Sequence, residues 1–232
     1  MILSIIIPVY NEEKTVGEIL KKVLSVKLPL EKEIIVVNDG STDRSKTEIK
    51  KIKNIKFFSH YKNLGKGAAI RTGLKVATGE LIIIQDGDLE YDPSYYPLLL
   101  KPILENKADI VYGTRLTNYP LRLWGKDKTI LPTHLIANRF LTGFTNLLYG
   151  SNITDMETCY KLFRARCLVG IELTSKGFEI EPEITAKFLK KGFKIVEVPI
   201  KVKPRTQKEG KKISWIDGFK AVFALLKFRF YD

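Results

Sequence analysis

Through the first half of the chain, apolar residues fall in short β-branched runs separated by amphipathic stretches. Ile2–Ile7 is such a run, ended by Pro8, and reads as a buried strand. From about Glu12 to Val26, residues Val16, Ile19, Leu20, Val23 and Leu24 recur on one helical face, with Asn11 placed to cap it. Glu33–Val37 is a second strand, closed by the turn cluster Asn38-Asp39-Gly40-Ser41. A Lys-rich helix to about Lys53, a strand over Ile55–Ser59 and a helix opened by Gly65 and Gly67 and running through Ala77 follow. Leu81–Ile84 is a buried strand, Pro93 starts a helix to about Asn106, and Asp109–Tyr112 is the next strand. This alternation predicts an α/β fold with a mostly parallel central sheet flanked by helices.

After residue 113 the rhythm changes. Residues 114–131 read as a loop, Pro132 to Leu148 as a helix, Tyr160–Phe163 as a strand, Glu181 to Lys191 as a helix and Lys194–Val198 as a strand. Residues 200–213 form a basic loop. The last segment, Ser214–Phe230, spaces Trp215, Phe219, Val222, Phe223, Leu226 and Phe230 as one helical stripe, with Lys220, Lys227 and Arg229 elsewhere on the helix. Such a C-terminal amphipathic helix suits a membrane interface or, equally, a dock on the core.

Composition changes this picture little, but charge changes it. With 44% hydrophobic and 28% charged residues the 232-residue chain can bury a sizeable core. The net charge of +13 points to nucleic acid, an anionic membrane surface or an anionic substrate. Residues 201–232 carry nine Lys/Arg against three acids, nearly half of that excess. Cys159 and Cys167, without a neighbouring His, read as reduced buried thiols in a reducing interior. The apolar N-terminus lacks a basic region and runs into Asn11-Glu12-Glu13, so it reads as a strand, not a signal peptide. No run of about 18 apolar residues is present to span a bilayer.

The candidate chemistry sits at strand ends. Leu81–Ile84 runs into Asp86, Asp88 and Glu90, whose hard oxygens suit Mg2+ or Mn2+ and, through the ion, a diphosphate. Asp88 is the first choice for direct ligation, with Asp86 and Glu90 in support. Pro8, Tyr10 and Glu12 end the first strand and Asp39 ends the second, so neighbouring parallel strands bring a ring and carboxylates to one cleft. Gly65-Lys66-Gly67 opens a helix whose free N–H groups and lysine face a phosphate. It is neither a dinucleotide fingerprint, since position 70 is Ile70, nor a P-loop. Arg115, Arg205 and, behind them, Lys211 and Lys212 have the donors to position a phosphate.

Taken together, PVYNEE at 8–13, NDGSTD at 38–43, NLGKGAA at 63–69 and QDGDLEYDP at 85–93 resemble the inverting family 2 glycosyltransferases of the GT-A fold. YGTR at 112–115, TDMETCYKLFR at 154–164 and FEIEPEITAK at 178–187 resemble those members that act on polyprenyl or dolichyl phosphate. The likeness runs over about the first 215 residues, with Asn38 where many relatives carry Asp. It implies a glycosyltransferase domain over 1–213, divided into a nucleotide-sugar half (1–112) and an acceptor half (113–213), followed by the helix at 214–232. It implies nucleotide-sugar contact at Pro8, Tyr10, Glu12, Asp39, Lys66 and Asp86, and metal at Asp86, Asp88 and Glu90. Catalytic roles fall to Asp88, Arg115, Asp155 and Arg205, with Arg115, Arg205 and Lys211 on the acceptor phosphate. Asp155 would orient the acceptor, or act as base were that acceptor a hydroxyl. The implied reaction is metal-dependent transfer of a hexose from GDP-mannose or UDP-glucose to the lipid phosphate, at the cytoplasmic face of a membrane. Peripheral association or a separate membrane protein partner would then serve in place of a spanning segment.

Two other readings compete. Glycan-extending relatives keep the donor site and use a sugar hydroxyl as acceptor. A nucleic-acid-binding module would account for the charge, but the acidic strand end would repel a phosphate backbone, so no nucleic acid is expected.

Overall fold

The computed structural model describes residues 1–117, 132–205, 212 and 215–231. Seven strands form one sheet: β1 (Ile2–Val9), β2 (Glu31–Asn38), β3 (Lys56–Ser59), β4 (Leu81–Ile84), β5 (Ile110–Thr114), β6 (Lys161–Arg164) and β7 (Ile195–Pro199). Their order is β3-β2-β1-β4-β6-β5-β7, and all neighbours run parallel except β6, which is antiparallel to both β4 and β5. The helices are α1 (Val16–Ser25), α2 (Ser45–Lys50), α3 (Lys66–Val76), α4 (Tyr96–Leu104), α5 (Pro132–Tyr149), α6 (Ile180–Lys190) and α7 (Trp215–Phe230).

The continuous β-branched runs are explained by burial on both faces. Leu3, Ile5, Ile6 and Ile7 of β1 and Leu81, Ile83 and Ile84 of β4 have no exposed surface, as expected of strands covered by helices on either side. Register places the carboxyl ends of β1 and β2 side by side, with Val9 opposite Asn38. The Asp39 N–H then donates to the Val9 carbonyl at 2.7 Å, and the Gln85 N–H to Ile6 at 3.0 Å. Three loops are thereby gathered at one edge. Gly87 lies flat against them: a Cβ there would sit 3.1 Å from the Pro8 carbonyl oxygen.

Three local expectations need correction. Asn11 does not cap α1; its φ is +50°, its Oδ1 accepts the Thr42 N–H at 2.8 Å, and α1 begins only at Val16. The side chain thus ties the two loops at the sheet edge together. Pro93 opens a short 3-10 turn (Pro93–Tyr95), capped by Asp92 accepting from the Ser94 N–H, before α4 begins at Tyr96. Finally, α7 is apolar on two faces. Ala221, Ala224, Leu225 and Phe228 pack with Leu141 of α5, Ala186 of α6, and Met156, whereas Trp215, Phe219 and Phe223 are at least 70% exposed. Docking on the core is realised on one face, and the aromatic face is left exposed. None of the described helices is long and apolar enough to cross a membrane. Both cysteines are free and buried.

Candidate active site

The strand ends open into one cavity of about 330 Å3. Pro8, Tyr10, Glu12 and Asp39 line it from the β1 and β2 edge, and Lys66, Asp86, Asp88 and Glu90 from its middle. Arg115 and Arg205 line it as well. Ten of the residues expected from sequence therefore converge. Asp155 lies behind the wall, and Lys211 falls outside the described residues.

Asp39 is buried, and its carboxylate is occupied by protein donors. Oδ1 accepts from Leu64 N–H at 2.9 Å and meets His60 Nδ1 at 2.7 Å, while Oδ2 accepts from Gly65 N–H at 2.8 Å. It therefore pins the glycine loop. Gly65 has φ +100°, and a Cβ on it would fall 2.3 Å from the Lys176 carbonyl oxygen. That tightness has a second consequence: Gly67 N–H donates to the Gly177 carbonyl and Ala68 N–H to Lys176. These N–H groups at the start of α3 are not free for a phosphate, which corrects the sequence expectation.

Lys66 remains as the cation of this loop, and it lies within a buried charge chain. Its Nζ is 2.7 Å from Asp86 Oδ1 and 3.0 Å from Glu181 Oε1; Glu181 Oε2 in turn accepts from Lys161 Nζ at 2.5 Å. Burial alone would lower the Lys66 pKa, but Asp86 and Glu181 hold it well above the usual lysine range. Burial likewise opposes ionisation of Asp86, yet Lys66 keeps its carboxyl below the ordinary value. Glu181 thus has a place in the site. Glu179 and Glu183 shape the loop before α6, accepting from the N–H groups of Gly177 and of Thr174 and Ser175.

Asp88 has the opposite balance. Burial first, then the Asp86 charge, raises its pKa to about 7 despite Arg205. The Arg205 Nη2 donates to Asp88 Oδ2 at 2.5 Å, Nη1 to Glu12 Oε2 at 3.0 Å, and Nε to Glu90 Oε1 at 3.3 Å. Lys212 adds a second cation: its Nζ is 2.6 Å from Glu12 Oε1, donates to the Tyr10 carbonyl, and lies 5.7 Å from the Tyr10 ring centre. Arg205 and Lys212 thereby bring two cations against Glu12 at the β1 wall.

This arrangement places Arg205 between two of the three carboxylates expected to hold a metal. Arg205 holds Glu90, and among the described residues no three carboxylate, His or Cys side chains converge on one point. The narrower set does fit a hard cation. Asp86 and Asp88 offer oxygen donors at the same strand end, close enough for the Asp86 charge to act on Asp88. Mg2+ and Mn2+ sites at phosphates commonly use one or two carboxylates, with water and substrate oxygens completing the shell.

On the far wall, Arg115 is locked. Asp155, fully buried, accepts from the Arg115 N–H at 2.9 Å, from Nε at 2.7 Å and, on its other oxygen, from Nη2 at 2.7 Å. Both Asp155 oxygens are thus committed to Arg115, whose guanidinium they hold in place. Among the lining residues that sequence reasoning missed are Tyr91, Glu157 and Phe178. The Tyr91 hydroxyl accepts from the Cys159 N–H at 3.2 Å. Glu157 carried a signal that was overlooked, an acid inside an otherwise core-forming segment.

Comparison with known proteins agrees with this geometry. Residues 4–169 match Glycosyl transferase family 2. An uncharacterized protein of Methanocaldococcus jannaschii is 31% identical over 96% of this chain and 90% of its own length. The dolichol-phosphate mannosyltransferase of Pyrococcus furiosus is 28% identical over 98% of this chain, which spans 64% of that protein. The dodecaprenyl-phosphate galacturonate synthase of Rhizobium johnstonii is 32% identical over 78% of this chain and 53% of its own length. Glucosyl-3-phosphoglycerate synthase of Mycobacterium tuberculosis, solved with Mn2+, uridine diphosphate and phosphoglyceric acid, superposes with a TM-score of 0.73 at 17% identity. The superposition covers 99% of this chain and 79% of that one. Because the family match runs through both walls of the cleft, from β1 to β6, the chain belongs to glycosyl transferase family 2 and is a glycosyltransferase of the GT-A fold.

Proposed function

We propose that the cleft transfers a hexose, with inversion, from a nucleotide sugar such as GDP-mannose or UDP-glucose to a polyprenyl or dolichyl phosphate. The observation that carries this reading is the meeting of the Asp86–Asp88 strand end with Arg115 and Arg205 in one cavity. Tyr10 presents a ring for the base and Glu12 a carboxylate for its N–H groups, on a wall that Asp39 stiffens through the glycine loop. Asp88, with Asp86 in support, would hold Mg2+ or Mn2+; the ion supplies Lewis-acid stabilisation to the departing diphosphate. Lys66 is held beside Asp86 and adds positive charge to the same part of the cleft.

A phosphate monoester has a second pKa of roughly 6, so at neutral pH the acceptor is already a nucleophile and needs positioning. Arg115, oriented by Asp155, and Arg205 have the donors for that. A sugar-hydroxyl acceptor would need a general base, and the commitment of Asp155 to Arg115 favours the phosphate. The names of the Pyrococcus and Rhizobium relatives point the same way. We assign the donor half to residues 1–112 and the acceptor half to 113–213. The exposed aromatic face of α7 would rest on the cytoplasmic face of a membrane, alone or with a membrane partner, and Ile136, Phe140 and Leu147 of α5 are exposed as well. Basic residues near an anionic leaflet gain about 1 kcal/mol each, and the tail is basic.

Calorimetric titration with UDP-glucose and GDP-mannose in the presence of Mg2+ or Mn2+ tests the donor side. One of the two should bind, more tightly with the cation; uptake of neither by folded protein refutes the reading.

A further inference from the structure

Glu157 is the one cleft carboxylate among the described residues for which the structure shows neither a hydrogen bond nor a salt bridge. It lines the cavity, and its Oε1 is shielded from solvent with no hydrogen-bond partner. The acids around it are all engaged: Asp155 by Arg115, Glu181 by Lys66 and Lys161, and Asp86 by Lys66. Burial, the largest influence, together with the charges of Glu181 and Asp155, raises its pKa to about 7, although Lys161 and Arg115 pull the other way. Glu157 is half-buried, and a shielded carboxyl oxygen without a partner is costly, so such a group in a cleft is a place for a ligand donor.

The sheet order says which part of the ligand arrives there. The β1 and β2 ends hold the proposed nucleoside wall, and the next strand, β4, ends in Asp86 and Asp88 at the proposed diphosphate. The following strand, β6, is antiparallel to β4, so it is the segment leading into β6, residues 157–160, that meets the end of β4. Cys159 Sγ, 3.7 Å from the Ile84 carbonyl oxygen, fixes that approach. Moving along the cleft from base to diphosphate, the next group of the donor is the sugar, and Glu157 borders its space.

We propose that Glu157 is a specificity-determining residue that takes a hydrogen bond from a hydroxyl of the transferred sugar and selects neutral hexosyl donors over uronosyl donors. This deepens the donor assignment above and rests on it. A neutral hexose brings hydroxyl donors to the unpartnered carboxyl. A uronosyl group would bring a second carboxylate to a wall whose described cations are each already paired with an acid.

The test is calorimetric titration of the full chain, wild type, Glu157→Gln and Glu157→Ala, with Mg2+ or Mn2+ present. The ligands are UDP, GDP, UDP-glucose, GDP-mannose and UDP-glucuronate, and circular dichroism checks the fold. The quantity read is the ratio of nucleotide-sugar affinity to that of the matching nucleoside diphosphate, which a general loss of structure does not move selectively. In wild type the neutral donor should gain over its nucleoside diphosphate and UDP-glucuronate should not. Glu157→Ala should cut the neutral-donor gain by ~10-fold, the scale of one hydrogen bond to a charged group. Glu157→Gln, which preserves shape, should narrow the gap between UDP-glucose and UDP-glucuronate. Nucleoside diphosphate binding with unchanged ratios in both variants overturns this inference and leaves the donor site standing. So does unaltered donor binding with a collapse of kcat, which would make Glu157 a proton carrier. Failure of wild type to bind any nucleotide overturns the donor site and this inference together.

Discussion

Arg205 Nη2 sits 2.5 Å from Asp88 Oδ2, joining residues 117 positions apart and bringing the guanidinium to the β4 strand end. The guanidinium balances part of the charge gathered by Glu12, Asp88 and Glu90, and is itself held protonated by them against the cost of its burial. Arg205→Ala should weaken use of a lipid phosphate more than binding of nucleotide. Steady-state kinetics with polyprenyl phosphate beside a nucleotide titration checks this; equal losses in both would make Arg205 a donor-site residue.

Asp88→Ala should lower metal-dependent turnover by about 100- to 1,000-fold, the usual scale for losing one preorganised electrostatic group. The fold should survive, because Asp88 is at a cleft edge and not in the apolar core. Turnover at the wild-type rate with an unchanged far-ultraviolet spectrum would remove Asp88 from the metal assignment.

Asp155→Ala leaves the buried Arg115 guanidinium without its counterion, which typically costs about 3–5 kcal/mol. Denaturant unfolding should show a loss of that order, and Arg115→Ala added to it should recover part. Additive losses would mean that the pair does not act as a unit.

Glu33 bridges β2 to the loop before β4. Burial would raise its pKa, but Lys56, Ser4 and Thr78 together bring it down to about 2. A carboxyl with a depressed native pKa stabilises the fold above its unfolded value and loses that contribution as pH falls through the native one. Stability should therefore decline between about pH 4.5 and pH 2, and Glu33→Gln should flatten that part of the profile. An identical slope in the variant would contradict the assignment.

On α7, Trp215, Phe219 and Phe223 are exposed while Ala221, Leu225 and Phe228 are packed. Removing the whole helix would expose core, so substitution is the better test. Trp215→Ser with Phe219→Ser and Phe223→Ser should release the protein from anionic vesicles and leave its unfolding midpoint nearly unchanged. Retention on vesicles would mean that this face serves another purpose.

Much of this could be read in the sequence because parallel strands buried on both faces leave continuous apolar runs, and their ends announce the cleft. Ile2–Ile7 and Leu81–Ile84 are such runs, and Tyr10, Asp39 and Asp88 followed directly from where they stop. What stayed hidden depends on contacts between distant segments. Nothing around Lys66 reveals that Glu181, 115 positions away, shares it with Asp86. Nothing around Arg205 reveals that it would pair with Glu90. The double character of α7 was missed for another reason: its packed face mixes the small Ala221 and Ala224 with Leu225 and Phe228, and the stripe drawn through Trp215, Phe219 and Phe223 left that face out.

The most direct test of the account is transfer itself, with radiolabelled UDP-glucose and GDP-mannose, a polyprenyl phosphate, and Mg2+ or Mn2+. The account predicts label in the organic phase from one of the two donors, dependent on both the lipid phosphate and the cation. Label found only in water-soluble product, or organic-phase label that forms equally well without a divalent cation, would contradict it.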